Sequence, residues 1–315
     1  MQTRLLPVDI FDNQVTEWYM EGMDSTINSP TSGILYRDLA NLRRLDNPKD
    51  VINSFTGGGL YGTHGEWEEA RLFEPGAGWR ISFNPQLLKS SFRVPETLTQ
   101  YGKAPPYVAD QVKLLGDYGI HSIDQMFINM LNNGFDASYS AYDALPLFSV
   151  SHPLRNAAGT FANRPVSGGA LSETTLAAAL TYFMSIKNDD GYGISMTPYA
   201  LVVPTGLRLL ADQILLSSSI SGSNAGLRNL VTGYSSLQVY SSSKLTSATA
   251  WFVLAAPSPN MRSNGHGLDL WFTPEGQPSV KTKLLEDPYG TKFIGAFNMA
   301  SSVTKVRGAY GNPGA

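Results

Sequence analysis

Apolar residues recur along this chain with two periods, and the switches between them mark its elements. The longest helical signal places Val108, Val112, Leu115, Ile123, Met126 and Met130 on one face. Pro105 and Pro106 set its start and Gly134 its stop, which predicts a helix over 107–133, roughly 40 Å long. Gly116 and Gly119 weaken it and predict a bend or a close neighbour. Ser172 caps a predicted helix to about Lys187 with Leu176, Leu180, Phe183 and Met184 inward. Thr205 caps another to about Leu216, with Leu207, Leu210, Ile214 and Leu215 inward. Leu35, Leu39 and Leu42 stand at i, i+4 and i+7, and Asn47 with Pro48 predicts a second short helix to about Phe55. Residues 1–33 read as an irregular arm with turn residues at 28–33.

The other period is two. Trp79, Ile81 and Phe83 alternate with Arg80 and Ser82, the pattern of a half-buried strand. Glu66 to Glu74, the turn residues at 75–78 and this strand predict a long hairpin over 66–94, with a third extended piece from Ser90 to Val94 ended by Pro95. Further strands are predicted at 201–204, 237–240, 249–256, 268–272, 279–286 and 292–306. Strands and helices mix without a regular alternation, so the fold class is α+β. A lone hairpin buries too little to be stable in water, so this one needs a surface to lie on.

Composition changes the picture in one respect. Charged residues make up 16% of the chain, against roughly 25% in typical soluble proteins. That reads either as a neutral polar surface or as one covered by copies of itself. Net charge is −3 and no basic run occurs, so gripping a phosphate backbone is not the main activity. The absence of cysteine excludes disulfides and thiolate chemistry. Pro7, Asp9 and Asp12 interrupt the N-terminal region where a signal peptide would be apolar, and no window approaches a membrane span; a soluble, unexported protein is expected.

Candidate chemistry is sparse. The four histidines, His64, His121, His152 and His266, stand in no metal-binding spacing. Gly57, Gly58 and Gly59 lack the lysine and hydroxyl of a phosphate loop. Ser149 or Ser151 beside His152 sketches a hydrolase pair without a nucleophile elbow, and Ser241 with Lys244 matches a serine–lysine spacing inside a serine run. Glu68 and Glu69 would point to opposite faces of a strand, so they cannot share a proton, and Asp189 with Asp190 reads as solvated charge. No catalytic residue, cofactor or metal is assigned.

The stretch DALPLFSVSHPLRN at 143–156 resembles a segment of the major head subunits of Mu-type tailed phages, where a D-G-x-x-L-F pattern leads to H-P-x-x-N; Ala144 here replaces the glycine. LLGDYGIHSIDQMFINMLNNGF (114–135), PYALVVPTGLRLLADQILLSS (198–218) and TSATAWFVLAA (246–256) resemble further blocks of that family, in the same order. The resemblance implies the Hong Kong 97 capsid fold: an N-terminal arm (1–55), an extended E-loop and its flanks (56–100), a peripheral P domain with the spine helix (101–169), an axial A domain (170–280), and a return to the P domain (281–315). It implies a non-enzymatic major capsid protein that self-assembles into hexamers and pentamers of an icosahedral shell. Such a shell encloses double-stranded DNA without reading its sequence, is assembled in the bacterial cytoplasm and has portal, scaffolding or decoration proteins as partners. The E-loop would rest on a neighbouring subunit through Trp67, Leu72, Phe73, Trp79, Ile81 and Phe83. An encapsulin-like compartment and a serine hydrolase are the alternatives.

Overall fold

The computed structural model describes residues 8–29, 33–45, 51–56, 76–82, 85–95, 104–217, 229–233, 236–257, 265–273, 278–285 and 290–315. Its elements are α1 (Val8–Asn28), α2 (Tyr36–Leu39), β1 (Asn41–Arg44), β2 (Val51–Thr56), β3 (Gly76–Ser82), β4 (Gln86–Pro95) and α3 (Ala104–Asn132). They continue as β5 (His152–Pro153), β6 (Thr160–Phe161), α4 (Glu173–Ser185), β7 (Pro198–Pro204), a 3-10 turn (Thr205–Leu207) and α5 (Arg208–Leu216). The chain ends with β8 (Gln238–Ser242), β9 (Trp251–Ala255), β10 (Leu268–Phe272), β11 (Ser279–Leu285), β12 (Gly290–Val303) and β13 (Ala309–Asn312).

The first sheet is organised around β12. Residues 290–296 of β12 are flanked by β11 on one side and β4 on the other, and residues 299–303 pair with β10. β1 pairs parallel to β10. Successive side chains of β12 face opposite ways. Phe293 and Phe297 point inward, onto α3 and α1, and join Val112, Leu115, Ile123 and Phe127 in one core. Phe92 of β4 stacks on Phe293 at 5.0 Å between ring centroids.

The second sheet runs β13, β9, β7, β8. Leu201, Val203, Trp251 and Val253 face α4 and α5, while Ala200, Val202, Phe252 and Leu254 face the first core. Both faces are covered, so β7 and β9 read as continuous apolar runs instead of alternating ones. Ser172 caps α4 as expected: Thr175 N donates to its Oγ, while Ser172 N donates to Thr175 Oγ1. α5 follows the 3-10 turn instead of starting at a Thr205 side-chain cap.

Several expectations are corrected. The N-terminal arm contains a 21-residue helix, α1, because Val15, Tyr19 and Met23 are spaced to bury one stripe against α3. The two helices touch through backbone. A Cβ on Gly22 would collide with the carbonyl of Lys113, and one on Gly116 with the carbonyl of Tyr19, so the glycine in the spine marks a close neighbour. The second short helix, expected to about Phe55, is strand β2, and Leu42 lies in β1. Val51, Ile52 and Phe55 are strand formers, and their pairing with β3 outweighs the capping signal before them. β3 begins at Gly76, inside the expected turn, and its partner is β2. Residues 66–74 lie outside the described residues. β10 pairs with β12 within the first sheet.

Candidate assembly surface

β2 and β3 form a two-stranded sheet of their own, separate from both larger sheets. Their register runs from Val51↔Ser82 to Thr56↔Gly76, with a shift between Asn53 and Phe55. The base of this ribbon is seated within its own chain. Ile81 is buried against Leu45, Trp271 and Ala300. Trp79 is half-buried, with its ring 5.2 Å from that of Tyr142 and the Arg155 guanidinium 4.9 Å from its centroid. So Ile81, expected to seek a neighbour, already has a core, and the hairpin is not without one. Trp67, Leu72, Phe73 and Phe83 lie outside the described side chains.

Next in sequence to Tyr142, which packs against the ribbon's seat, the 143–163 loops carry a buried polar network. His152 is fully buried. Its Nδ1 lies 2.6 Å from Asp143 Oδ2, and its Nε2 lies 3.2 Å from both the Leu147 carbonyl and Asn163 Oδ1. Asn163 donates to the carbonyls of Leu147 and Val306 and accepts from Ser149 N. Both ring nitrogens are therefore occupied by structural partners, and the Ser149 hydroxyl accepts from Ser151 N. This is the geometry of a loop clamp, in which neither serine meets a base. Ala144 adopts φ 61°, a left-handed conformation that favours glycine. That explains why the resembled pattern carries glycine at this position.

Two buried aspartates were missed in the sequence. Asp124, on α3, accepts from Leu35 N at 2.8 Å and Tyr36 N at 2.9 Å, and from Lys244 Nζ at 2.7 Å. It ties the segment entering α2 and the loop after β8 to the spine. Lys244, half of the serine–lysine match, is thus a structural partner of a carboxylate. Asp269 accepts from Asn41 Nδ2 and Thr304 Oγ1, both at 2.7 Å, and pairs with Arg43 Nε at 2.9 Å. Next to it, burial pushes the His266 imidazole down to about 4, and Lys305 and Arg43 add to the shift. Leu268 N donates to His266 Nδ1, which must stay unprotonated to accept. Burial also lowers Lys305 to about 8. No signal of period or spacing marks these aspartates, because their partners lie far along the chain. Among the described residues no group of His, Asp or Glu could hold a metal ion, and no helix is long and apolar enough to cross a membrane.

Comparison with known proteins gives this architecture a family. The capsid of Helicobacter pylori bacteriophage KHP30 superposes with a TM-score of 0.56 at 9% identity, covering 90% of each chain. The capsid of cyanophage P-SCSP1u gives 0.54 at 12% identity, over 88% of this chain and 87% of that one. The SrpI encapsulin of Synechococcus elongatus gives 0.51 at 9% identity, over 90% of this chain and 88% of that one. These likenesses establish the Hong Kong 97 type of fold. No curated protein sequence matches significantly. A sequence profile of phage capsid proteins matches residues 96–312, which span α3, the second sheet, β10 to β12 of the first sheet and the loop clamp, and the chain therefore belongs to the phage capsid protein family.

Proposed function

We propose that the chain is the major shell subunit of a tailed-phage head. It forms hexamers and pentamers of an icosahedral lattice around double-stranded DNA, with no enzymatic role. The observation that carries this reading is the β2–β3 ribbon, which stands apart from both larger sheets and is seated at its base. Two strands alone are marginal in water, and contacts between copies supply the missing cover. In this reading the ribbon and the residues between its strands are the E-loop. The first sheet with α3 is the P domain, and the second sheet with α4 and α5 is the A domain. The subunit assembles in the bacterial cytoplasm, with portal and scaffolding or decoration proteins as partners.

Electron microscopy of the purified full-length chain tests this. Shells, tubes or capsomers are expected, and their absence overturns the reading. A deletion of residues 58–74 keeps both ribbon strands and should leave a folded subunit that makes no stable shell. Normal assembly of that deletion refutes the clasp. Co-purification of a protein cargo in place of DNA would favour an encapsulin-like compartment, whose fold is shared.

A further inference from the structure

Among the described residues β4 pairs with β12 on one side and with no strand on the other. Its register runs unbroken from Pro95↔Gly290 to Gln86↔Met299. Its 10 residues span roughly 34 Å. Alternate residues of an antiparallel strand turn their N–H and C=O groups away from the paired neighbour, so the outer side of β4 is a row of unpaired donors and acceptors. Leu88, Phe92 and Val94 pack into the core beneath the sheet. Ser90 lies on that same side and is still exposed, as a residue on an uncovered edge is.

Proteins blunt such edges with short strands, bulges, proline or charge. β4 is long, its pairing has no bulge, and its one proline is its last residue. Charge is what it has: Lys89 and Arg93 are exposed on the outer face. That face extends beyond β4. On β12, Phe293 and Phe297 point to the core, so Lys292, Ile294 and Ala296 point outward. Lys292 pairs with Arg93 on one side and with Lys283 of β11 on the other, Ile294 pairs with Lys281, and Ala296 with Lys89. Residues directly opposite across a ladder share a face, so five cations occupy this one. No aspartate or glutamate occurs in β4, β11 or β12, and among the described residues none of the five forms an ion pair. Lys281, Lys283 and Lys292 stand on β11 and β12, away from the open edge, and do nothing to blunt it. The face is more cationic than edge protection requires, and like charges side by side destabilise a sheet.

The two features select one kind of partner. A row of free N–H and C=O groups is completed only by a chain that offers both acceptors and donors, which a polypeptide does and a phosphate backbone does not. A second copy of β4, paired antiparallel about Ser91, would set Lys89 against Arg93, cation against cation. An acidic strand reverses that sign.

We propose that the open edge of β4 adds an extended acidic segment of another protein as a further strand, with carboxylates four residues apart opposite Lys89 and Arg93. Main-chain bonds supply the attachment, and the charges set register and exclude neutral or basic strands. Further acids flanking the added strand meet Lys281, Lys283 and Lys292. This binding is a property of the single chain and does not rest on the shell reading.

The experiment measures fluorescence anisotropy of a labelled nine-residue peptide with the full-length chain. The probe alternates threonine and valine and carries glutamate at its third and seventh positions. It should bind, and a probe with lysine at those positions should bind at least about tenfold more weakly. Two further probes carry N-methyl groups on alternate amides, one on the odd and one on the even set. Only one set faces β4, so one of these probes should lose binding about tenfold or more while the other keeps it. K89E/R93E should reverse the preference between glutamate and lysine probes, and K89Q/R93Q should abolish it. No binding of the glutamate probe, equal binding of glutamate and lysine probes, or equal behaviour of the two methylated probes overturns the proposal. All three comparisons use the wild-type chain and hold even where a variant fails to fold. A duplex oligonucleotide that displaces the probe at lower charge-matched concentration assigns the face to phosphate and overturns the choice of polypeptide. A probe that dissolves self-association of the wild-type chain assigns the edge to a second copy and overturns the choice of partner.

Discussion

Replacing Asp124 with alanine tests whether the spine helix organises the rest of the subunit through one buried carboxylate. Asp124 is fully buried and accepts two backbone N–H groups, from Leu35 and Tyr36, themselves in buried residues. D124A strands both donors, at about 1–3 kcal/mol each. Lys244 keeps 22% of its side chain exposed and can turn to water, so its loss adds little. The total is about 2–6 kcal/mol. With ~2 cal/mol/K of unfolding entropy per residue, a chain of this length should lose roughly 3–9 °C in Tm. D124N retains an oxygen for the two amides but turns an amide toward the Lys244 ammonium, and should cost about 1–2 kcal/mol. Calorimetry of the soluble subunit measures both, and hydrogen exchange at the Leu35 and Tyr36 amides should rise in D124A. A Tm drop under about 2 °C, or equal losses from D124A and D124N, would refute the assignment.

Three other outcomes follow from the same geometry. His266 is buried with a folded pKa near 4, against about 6.5 unfolded, so its stabilising contribution is complete above pH 6.5 and falls away as pH drops toward 4. Tm measured across pH 7 to 4 should decline less in H266Q than in wild type, and parallel curves would exclude His266 as the source. Lys305 titrates well above this window, near 8, and does not contribute to it. A144G should raise stability by up to ~1 kcal/mol in denaturant titration, because the residue sits at positive φ; a loss would contradict the strain. G116A pushes a methyl group into the Tyr19 backbone, with no flexible atom to yield, and should cost over ~2 kcal/mol; a neutral result would mean that α1 does not dock there.

The long helix, the capped helix α4 and the buried strands β7 and β9 were legible because local periodicity and covered faces leave a mark on neighbouring residues. The loop 143–156 was legible only as a resemblance. Its mechanics, an Asp143–His152 pair braced by Asn163, could not be read from spacing that equally suggested a hydrolase. α1 was missed because the turn residues at 28–33 dominated the reading of the segment that they end, and β2 because capping residues precede strand formers. The expectation of a hairpin without a core failed at Ile81, whose partners Leu45, Trp271 and Ala300 come from distant parts of the chain.

What the sequence by itself determined is the α+β class, the spine, most strands of the two sheets and, through ordered blocks, the family. These depend on periods of two and 3.6 within short windows, or on patterns that survive as strings. The tertiary structure alone decided where the ribbon sits, what Asp124 and Asp269 hold together, and that Lys89, Arg93, Lys281, Lys283 and Lys292 share one face. A chain with no basic run assembles a basic surface because the register between strands, set by burial of Phe293 and Phe297 on the opposite face, fixes which residues stand side by side.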